Sequence, residues 1–318
     1  MRRRCCVIVT QGGCAEPGAR KRWGMNPEPV CIQPGPEANA GGRAAPPERW
    51  ETPAGDRVVN RFNSQAAAAR YAGNRPQSQG RVLGWVKTIL GEALPVERAL
   101  DVGCGTGHST VALLPLAKSV VGLDSSRFML AQAERHPAID YRCGYAEALP
   151  FARGSFDLLT VCSAYHWFDQ DKFLAESARV LRGGGWLVLY KVGSTGKLAN
   201  HAEFETWKRE VFRARYPKAQ RNDEVLTEEK AVGFGFHDVA RESLTHRVRH
   251  TLDEYVDNLL THSSLIGAID RKQEAVTETR DWLCRELEPF FTGGSAEFLH
   301  EDWIHLLGRD LGVGVGRR

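Results

Sequence analysis

A glycine-rich turn is the segment of this sequence whose spacing most directly suggests chemistry. It reads Asp-Val-Gly-Cys-Gly-Thr-Gly, with Asp101 ahead of three glycines, Gly103, Gly105 and Gly107. Glycine lets the backbone turn sharply and approach a ligand closely. In a dinucleotide-binding turn the third glycine comes three places after the second, whereas here it comes two places after it. The tighter spacing behind an acid favours a ligand with a zwitterionic amino-acid tail, although the turn alone is equally typical of a plain strand-to-helix connection.

An acidic residue at the end of the next apolar run is the second candidate. Asp124 ends the run Val-Val-Gly-Leu-Asp, 21 positions after Gly103. An acid at a strand tip can accept hydrogen bonds from both hydroxyls of a ribose. The alternative is that Asp124 caps the helix that follows. Ser125 and Ser126 are better placed for capping, so the sequence predicts that Asp124 is free for a ligand.

Two more loops follow apolar runs later in the chain. Residues 144–151, GYAEALPF, could present backbone N–H groups and a polar side chain to an adenine edge. Residues 164–169, AYHWFD, contain His166, a candidate proton acceptor because an unperturbed imidazole titrates at about pH 6.5. The alternative is that His166, with Trp167 and Phe168, only shapes a pocket wall.

Strands and helices must alternate for these loops to meet. Expected strands are ALDVG, SVVGLD, IDYRCG, FDLLTVCSA and GWLVLYKV, separated by helices that include STVALLPLA, RFMLAQAERH and DKFLAESARVLR. Gly183 is expected to end the last of these helices. The alternation predicts an α/β, Rossmann-like doubly wound fold, a mostly parallel sheet with helices on both faces. Right-handed crossovers then bring the loop after each strand to one edge of the sheet.

Two helices are expected ahead of this sheet, and the part after it is less regular. Its expected helices lie near Phe204–Arg213, Leu252–Leu260 and Arg271–Leu287, and its expected strands near Asp238–Val248 and Ala296–Leu306.

Composition and the N-terminal segment set the expected domain organisation. The chain has 318 residues, of which 42% are apolar and 25% charged, and a net charge of +3. These values are typical of a globular protein and favour neither nucleic acid nor an acidic membrane as a partner. Residues 1–56, rich in proline, are predicted to form a disordered tail. That tail is expected to be a solvated segment, or part of an over-long gene model whose real start is Met25. The alternatives are an organellar transit peptide and a nucleic-acid tail. Residues 57–318 are predicted to form one domain, with a cofactor-binding core at 97–192 and a substrate-side, sheet-completing region at 193–318.

Cysteine and histidine usage argues against a metal site. The eight cysteines include no CxxC pair, and His300 and His305 are five positions apart rather than four. No apolar run approaches the roughly 20 residues that span a bilayer, and no secretory signal is apparent. Four cysteines lie in apolar or glycine-rich surroundings and are expected to be reduced thiols, which suits a cytoplasmic protein. These four are Cys104, Cys143, Cys162 and Cys284.

The motifs taken in order resemble those of the class I S-adenosylmethionine-dependent methyltransferases. The segments that carry the resemblance are VGCGTG, VVGLDSS, AEALPF, SFDLLTV and ARVLRGGG. The run AYHWFD is similar to the branch with trans-aconitate-type and other small-molecule methyltransferases, whose domain is called methyltransferase type 11. The resemblance covers about residues 57–192 and continues more loosely in DEYVDNLLTHS and the closing strand with Trp303.

This resemblance implies a cofactor, S-adenosyl-L-methionine, and a role for each matching position. It assigns the methionine moiety to Asp101, Gly103 and Gly105, the ribose to Asp124, the adenine to Ser125, Met129, Ala146 and Glu147, and the carboxylate end to Tyr71 and Arg75. Gly107 and Ser163 complete the predicted cofactor-binding set, and His166 is the catalytic candidate. Many relatives carry Asp where this chain has Tyr145, so the contact to the adenine amino group is an open point.

Three functions are compatible with these observations. The leading one is transfer of a methyl group to a small molecule by a cytoplasmic monomer or homodimer, with no nucleic acid or membrane partner. A carboxylate acceptor, held by Arg75 or Arg213, is suggested by analogy with the trans-aconitate branch. The alternatives are a nicotinamide-dependent oxidoreductase and a protein that binds S-adenosylmethionine without turnover.

Overall fold

The structure is a computed structural model that describes residues 62–193, 196–198, 201–271 and 274–310. The predicted tail, residues 1–56, lies outside the described residues.

The described chain is built on one eight-stranded sheet in the spatial order β3-β2-β1-β4-β5-β8-β6, with β7 also paired to β8. The first five strands run parallel, and the last three are antiparallel to their neighbours. The strands are β1 (Val96–Val102), β2 (Ala117–Asp124), β3 (Ile139–Cys143), β4 (Phe156–Cys162), β5 (Leu181–Lys191), β6 (Lys197–Leu198), β7 (Phe236–Thr251) and β8 (Ser295–Arg309). The predicted α/β, doubly wound and mostly parallel class is confirmed.

Eleven α-helices occur in the described ranges. They are α1 (Gln65–Asn74), α2 (Gln79–Leu90), α3 (His108–Ala112), α4 (Arg127–Ala131), α5 (Gln170–Val180), α6 (Ala202–Trp207), α7 (Arg213–Arg215), α8 (Glu228–Gly233), α9 (Leu252–Leu259), α10 (Ser263–Asp270) and α11 (Val276–Leu287). A π-helix spans Lys208–Phe212 and a 3-10 turn spans Tyr165–Trp167. No helix of the described part has both the length and the apolar character to cross a membrane.

The sheet is covered on both faces because successive strand residues point to opposite sides. Leu100 in β1 packs in one core with Phe173 of α5. Its neighbour Ala99 packs in the other core with Val82 of α2. Since both neighbours are fully buried, a central strand such as β1 reads as a nearly continuous apolar run.

The C-terminal region completes the sheet and adds a third core. β8 pairs along the whole length of β7 and also with the end of β5. An aromatic cluster joins it to α6 and α9, with the Tyr255 and Phe298 rings stacked at 4.3 Å. Trp207 and Phe204 belong to the same cluster.

Some sequence expectations differ from the structure. α5 ends at Val180 and β5 begins at Leu181, so the expectation that Gly183 ends the helix is wrong. The reason is a tertiary contact. Leu181 of β5 pairs with Phe156 of β4, ahead of a register shift between these two strands, so the chain is already in the sheet before Gly183. Cys143 is disulfide-bonded, so the expectation of reduced thiols is wrong at that position, whereas the other three thiols are free.

Candidate functional site

The glycine turn leaves β1 at the edge where the parallel strands end. Gly103, Gly105 and Gly107 all have positive φ, at 71°, 55° and 82°. Residues with a Cβ rarely adopt this conformation. A Cβ on Gly103 would also lie 2.6 Å from the Cβ of Ala164, in the loop after β4. Glycine is therefore needed both for the turn and for the close approach of that neighbouring loop.

Asp124 joins this turn to the tip of β2. Its Oδ2 accepts a 2.8 Å hydrogen bond from the N–H of Gly105, and its Oδ1 accepts one of 2.8 Å from the N–H of Ser126. Ser126 caps α4 by accepting from the N–H of Met129. The expectation that Ser126 is placed for capping is confirmed. Asp124 already has two backbone partners, and its contact with a ligand stays a prediction. Burial raises the pKa of Asp124, in spite of the backbone N–H donors that lower it.

Asp101 lies beneath the turn, with no exposed surface. Its Oδ2 accepts hydrogen bonds from the hydroxyls of Ser109 (2.6 Å) and Thr110 (2.7 Å), and its Oδ1 accepts one from Thr160 (3.0 Å). Burial raises the pKa of Asp101 to about 6, although these hydroxyls favour the charged form. The carboxylate therefore fastens the start of α3 to β4 and does not line the pocket described next.

A small pocket opens beside the glycine turn. Five of the predicted site residues line it: Tyr71, Arg75, Gly103, Gly105 and Ser163. Seven lining residues were not predicted: Gln79, Cys104, Thr106, His108, Ser109, Cys162 and Val192. Cys104 and Thr106 belong to the glycine motif itself and His108 follows it directly, so their place in or beside the motif was the available signal. Gln79 and Val192 gave no such signal, since α2 and β5 bring them here only through packing.

Two buried polar atoms of this pocket wall have no protein partner. They are the hydroxyl Oγ1 of Thr106 and the ring nitrogen Nδ1 of His108. Burial, and then the nearby charge of Arg75, lowers the pKa of His108. Since buried polar groups are nearly always hydrogen-bonded, these two atoms are suited to partners from a polar ligand.

Helix α1 supplies the opposite wall. The guanidinium of Arg75 lies 5.6 Å from the centre of the Tyr71 ring, and its Nη1 donates to the hydroxyl of Thr261 at 3.4 Å. Phe62, ahead of the helix, packs edge-on against Tyr71 and accepts a hydrogen bond from the Ser126 hydroxyl through its carbonyl. These contacts hold α1 over the ends of β1 and β2.

The residues predicted for an adenine lie beyond the lining of this pocket. Met129 is buried, and its Cε would lie 3.2 Å from a Cβ on Gly105. Ala146 is also buried, and Tyr145 is 45% exposed. Glu147 accepts a 2.9 Å hydrogen bond from the N–H of Asp169 and so connects the loops after β3 and β4. Ser125 is half-buried at the tip of β2.

The loop after β4 starts from a strained residue. Ser163 has a φ of 54°, unusual for a residue other than glycine, and its N–H donates to the carbonyl of Tyr190 at 2.8 Å. Such conformations are often found at ligand sites. His166 follows, with its ring 4.8 Å from that of Trp167. Burial, then the positive charges of Arg221 and Lys191, lowers the pKa of His166 to about 4. The imidazole is thus neutral and a weak proton acceptor at pH 7. The pKa of His166 therefore no longer supports a role for it as a general base.

The structure therefore brings the four predicted loops to one edge of the sheet. Direct hydrogen bonds join the glycine turn to Asp124 and Glu147 to Asp169. No group of three or more His, Cys, Asp or Glu side chains within the described ranges could hold a metal ion.

Comparison with known proteins agrees with this geometry. Residues 100–189 match the family described as "Methyltransferase domain". An uncharacterized protein of Escherichia coli, YafE, is 30% identical over 201 residues, which cover 60% of this chain and 93% of that protein. Demethylmenaquinone methyltransferase of Renibacterium salmoninarum is 39% identical over 116 residues, 35% of this chain and 49% of that enzyme. The chain thus spans about half of the length of that curated relative.

A solved structure of a candidate type II methyltransferase from Anaeromyxobacter dehalogenans has the same fold. It superposes with a TM-score of 0.55 at 22% identity and covers 75% of this chain and 97% of its own. At this identity the likeness concerns the fold alone.

Proposed function

Because this chain belongs to the class I S-adenosylmethionine-dependent methyltransferases, we propose that it transfers a methyl group from S-adenosylmethionine to a small molecule that carries a carboxylate. S-adenosylmethionine is the cofactor of this family. The observation that carries the proposal is the hydrogen bond between Gly105 and Asp124, which fixes the glycine turn against the acidic strand tip beside a polar pocket.

The residues present fit this cofactor. A ligand with an amino-acid tail would provide partners for the unpaired Thr106 hydroxyl and His108 nitrogen. Arg75 lines the same pocket with no carboxylate within salt-bridge distance in the described ranges, and its charge suits the carboxylate of that tail. Glycine at position 103 keeps the pocket floor free of side chains, which allows close approach of a ligand.

Most of the predicted residues then have a proposed position along the cofactor. Tyr71 and Arg75 would close over the methionine carboxylate, with the backbone of Gly103 and Gly105 beneath it. Asp124 would accept from the ribose hydroxyls through its remaining lone pairs, since each of its oxygens now accepts one N–H. Asp101 would act indirectly, as a positioning residue that holds the start of α3.

The adenine would be held farther along the same edge. Met129 and Ala146 offer buried apolar surface there, and Ser125 and Glu147 offer polar groups at the tips of β2 and β3. Tyr145 is exposed, which favours backbone contacts over a side-chain contact from that position.

The bound cofactor supplies an electrophilic methyl group on a sulfonium centre. The work left to the protein is to align the acceptor with that methyl group and to exclude water. A carboxylate acceptor is already ionised at pH 7, so no proton has to be removed from it. This agrees with a neutral His166 whose pKa is about 4. In this mechanism His166 and Trp167 form a wall of the acceptor site.

A methyl-transfer screen with labelled donor against small carboxylic acids, phenols and amines tests the proposal. We expect transfer to at least one acid and to neither of the other classes. Equilibrium binding of S-adenosylhomocysteine and of NADH separates a methyltransferase from a nicotinamide-dependent oxidoreductase, because the oxidoreductase should prefer NADH. Tight binding of S-adenosylhomocysteine without transfer to any acceptor would instead support a protein that binds without turnover.

A further inference from the structure

The chain that leaves β5 forms one wall of the pocket and is held there by side chains of β8. Val192 lines the pocket, and its N–H donates to the hydroxyl of Ser163, another lining residue, at 3.4 Å. The N–H of the next residue, Gly193, donates to Oδ1 of Asp302 at 2.9 Å, and its carbonyl bonds Nδ1 of His300 at 2.9 Å. Since a carbonyl can only accept, Nδ1 of His300 carries the proton. Both backbone polar groups beside the pocket wall are therefore bound by β8.

Asp302 connects this wall to helix α2. The carboxylate has no exposed surface. Its Oδ2 accepts a hydrogen bond from Nη1 of Arg81 at 3.3 Å and lies 3.6 Å from Nδ1 of His246. Arg81 comes two residues after Gln79, which begins α2 and also lines the pocket. One buried carboxylate therefore joins two parts of the pocket wall, Gln79 and the chain after Val192, without lining the pocket itself.

Three imidazoles surround this connection. The ring centres of His246 and His250 lie 5.5 and 5.7 Å from that of His300, and we call these three residues the histidine cluster. Each ring has one buried nitrogen without a hydrogen-bond partner among the described residues. In His300 this nitrogen is Nε2, because Nδ1 donates to Gly193. A second proton on His300 would therefore create a buried N–H group with no acceptor, which is unfavourable.

The charged groups that face the histidine cluster offer His300 little compensation. They are two acids and two cations, Asp302 of β8, Glu254 of α9, Arg81 of α2 and Lys208 of the π-helix. Asp302 already pairs with Arg81, and Glu254 acts on His250. Burial, and then repulsion from the two neighbouring imidazoles, lowers the pKa of His300, in spite of the Gly193 carbonyl and Asp302, which raise it.

We propose that Asp302 and His300 are positioning residues that hold the Val192 wall of the cofactor pocket against α2, and that protonation of the histidine cluster weakens this hold. The proposal rests on the proposed function, because it takes this pocket for the S-adenosylmethionine site. Its physical basis is that the uncharged His300 donates to the Gly193 carbonyl, whereas the imidazolium needs a second acceptor that its buried surroundings do not provide.

Two substitutions of His300 in the full chain separate positioning from packing. The side-chain amide of asparagine can replace the Nδ1 donor, whereas leucine has no donor. By calorimetry at pH 7.5, we expect His300→Asn to bind S-adenosylhomocysteine within about twofold of the unmodified protein. His300→Leu should bind it about twofold to thirtyfold more weakly than His300→Asn. Because asparagine is the smaller side chain, a role in packing alone predicts the reverse order. That order, or equal affinities in all three proteins, would overturn the proposal.

A substitution on α2 tests the same connection without a change in the core. The side chain of Arg81 is 40% exposed, so Arg81→Gln should fold. We expect its affinity for S-adenosylhomocysteine to fall by about twofold to tenfold, because the start of α2 loses its bond to Asp302. Lys87→Gln is the matched control, since Lys87 is an exposed cation in the last turn of the same helix. Equal affinities of the two glutamine variants would refute the connection through Asp302.

The pH dependence of binding tests the effect of protonation. A lowered pKa means that the folded site binds this proton less readily than an exposed imidazole does. The hold is therefore complete well above about pH 6.5 and is lost as the pH falls below that value. Between pH 7.5 and 5.5, the affinity of the unmodified protein should fall by up to about tenfold more than that of His300→Asn. His237→Asn, which removes an exposed histidine of β7, should behave like the unmodified protein. Parallel pH profiles of the unmodified protein and His300→Asn would refute the role of protonation.

The same titrations separate this proposal from the proposed function. If the unmodified protein does not bind S-adenosylhomocysteine at any pH, the proposed cofactor is refuted, and the positioning role with it. If the unmodified protein binds normally and neither His300→Leu nor Arg81→Gln alters the affinity, the positioning role alone is refuted.

Discussion

Replacing Asp124 by alanine tests the cofactor site most directly, because this carboxylate has two tasks. In the structure it accepts hydrogen bonds from the N–H groups of Gly105 and Ser126 and so holds the glycine turn. In the proposed complex it also accepts from the ribose hydroxyls. The substitution removes both sets of hydrogen bonds, and their sizes can be calculated separately.

The loss of cofactor affinity should be large. A hydrogen bond to a charged group contributes about 1.5–3 kcal/mol, so two ribose hydroxyls correspond to about 3–6 kcal/mol. The affinity for S-adenosylhomocysteine should therefore fall by roughly a hundredfold to ten-thousandfold. The free energy of unfolding should also fall by about 3–6 kcal/mol, since the N–H groups of Gly105 and Ser126 each lose a charged acceptor worth about 1.5–3 kcal/mol.

Calorimetric titration with S-adenosylhomocysteine, together with urea unfolding, measures the two effects. Asp140→Ala is a matched control, since Asp140 is an exposed acid on the neighbouring β3 that pairs only with Arg142 among the described contacts. The Asp140→Ala protein should bind S-adenosylhomocysteine with the same affinity as the unmodified protein. An Asp124→Ala protein that binds S-adenosylhomocysteine normally would refute the ribose contact, and one that unfolds at an unaltered urea concentration would refute the tether to the turn.

Three other substitutions test separate parts of the site. Asp101 has a folded-state pKa of about 6 against an ordinary value of 3.8. The folded protein therefore holds its proton more tightly, and the free energy of unfolding should fall by up to about 3 kcal/mol as the pH rises from about 4 to about 6. Urea unfolding of the Asp101→Asn protein across that pH range should lack this loss of stability. A pH dependence equal to that of the unmodified protein would contradict the raised pKa of Asp101. His166→Gln should lower kcat/KM by less than about tenfold, because an imidazole with a pKa of about 4 is a poor base at pH 7; a loss of about 10²–10⁴ in steady-state kinetics would instead indicate general base catalysis. Gly103→Ala should lower thermal stability and the affinity for S-adenosylhomocysteine, since its Cβ would lie 2.6 Å from that of Ala164 at a φ of 71°. Gly80→Ala, in open space on α2, should raise stability by about 0.4–1 kcal/mol, and equal behaviour of the two alanine variants would contradict the steric argument.

The sequence alone determined the fold class and the family. Buried parallel strands must be apolar on both faces, so β1, β2 and β4 are visible as short apolar runs between helical stretches. The spacing of Gly103, Gly105 and Gly107 is local information as well, because each positive φ belongs to one residue of one turn. These features can be recognised in the sequence without knowledge of any distant contact.

Only the tertiary structure decided what the polar residues do. Asp101 looked like a ligand contact, but Thr160, 59 positions away, helps to enclose it beneath the turn. Asp124 looked free, but the returning turn brings the N–H of Gly105 to it. The environment of His166 likewise depends on Arg221, whose neighbour Asn222 donates a hydrogen bond to the carbonyl of His166 in the loop after β4. Burial and charge at a site depend on residues that are far apart in the chain. Local sequence patterns do not show which of these residues will meet.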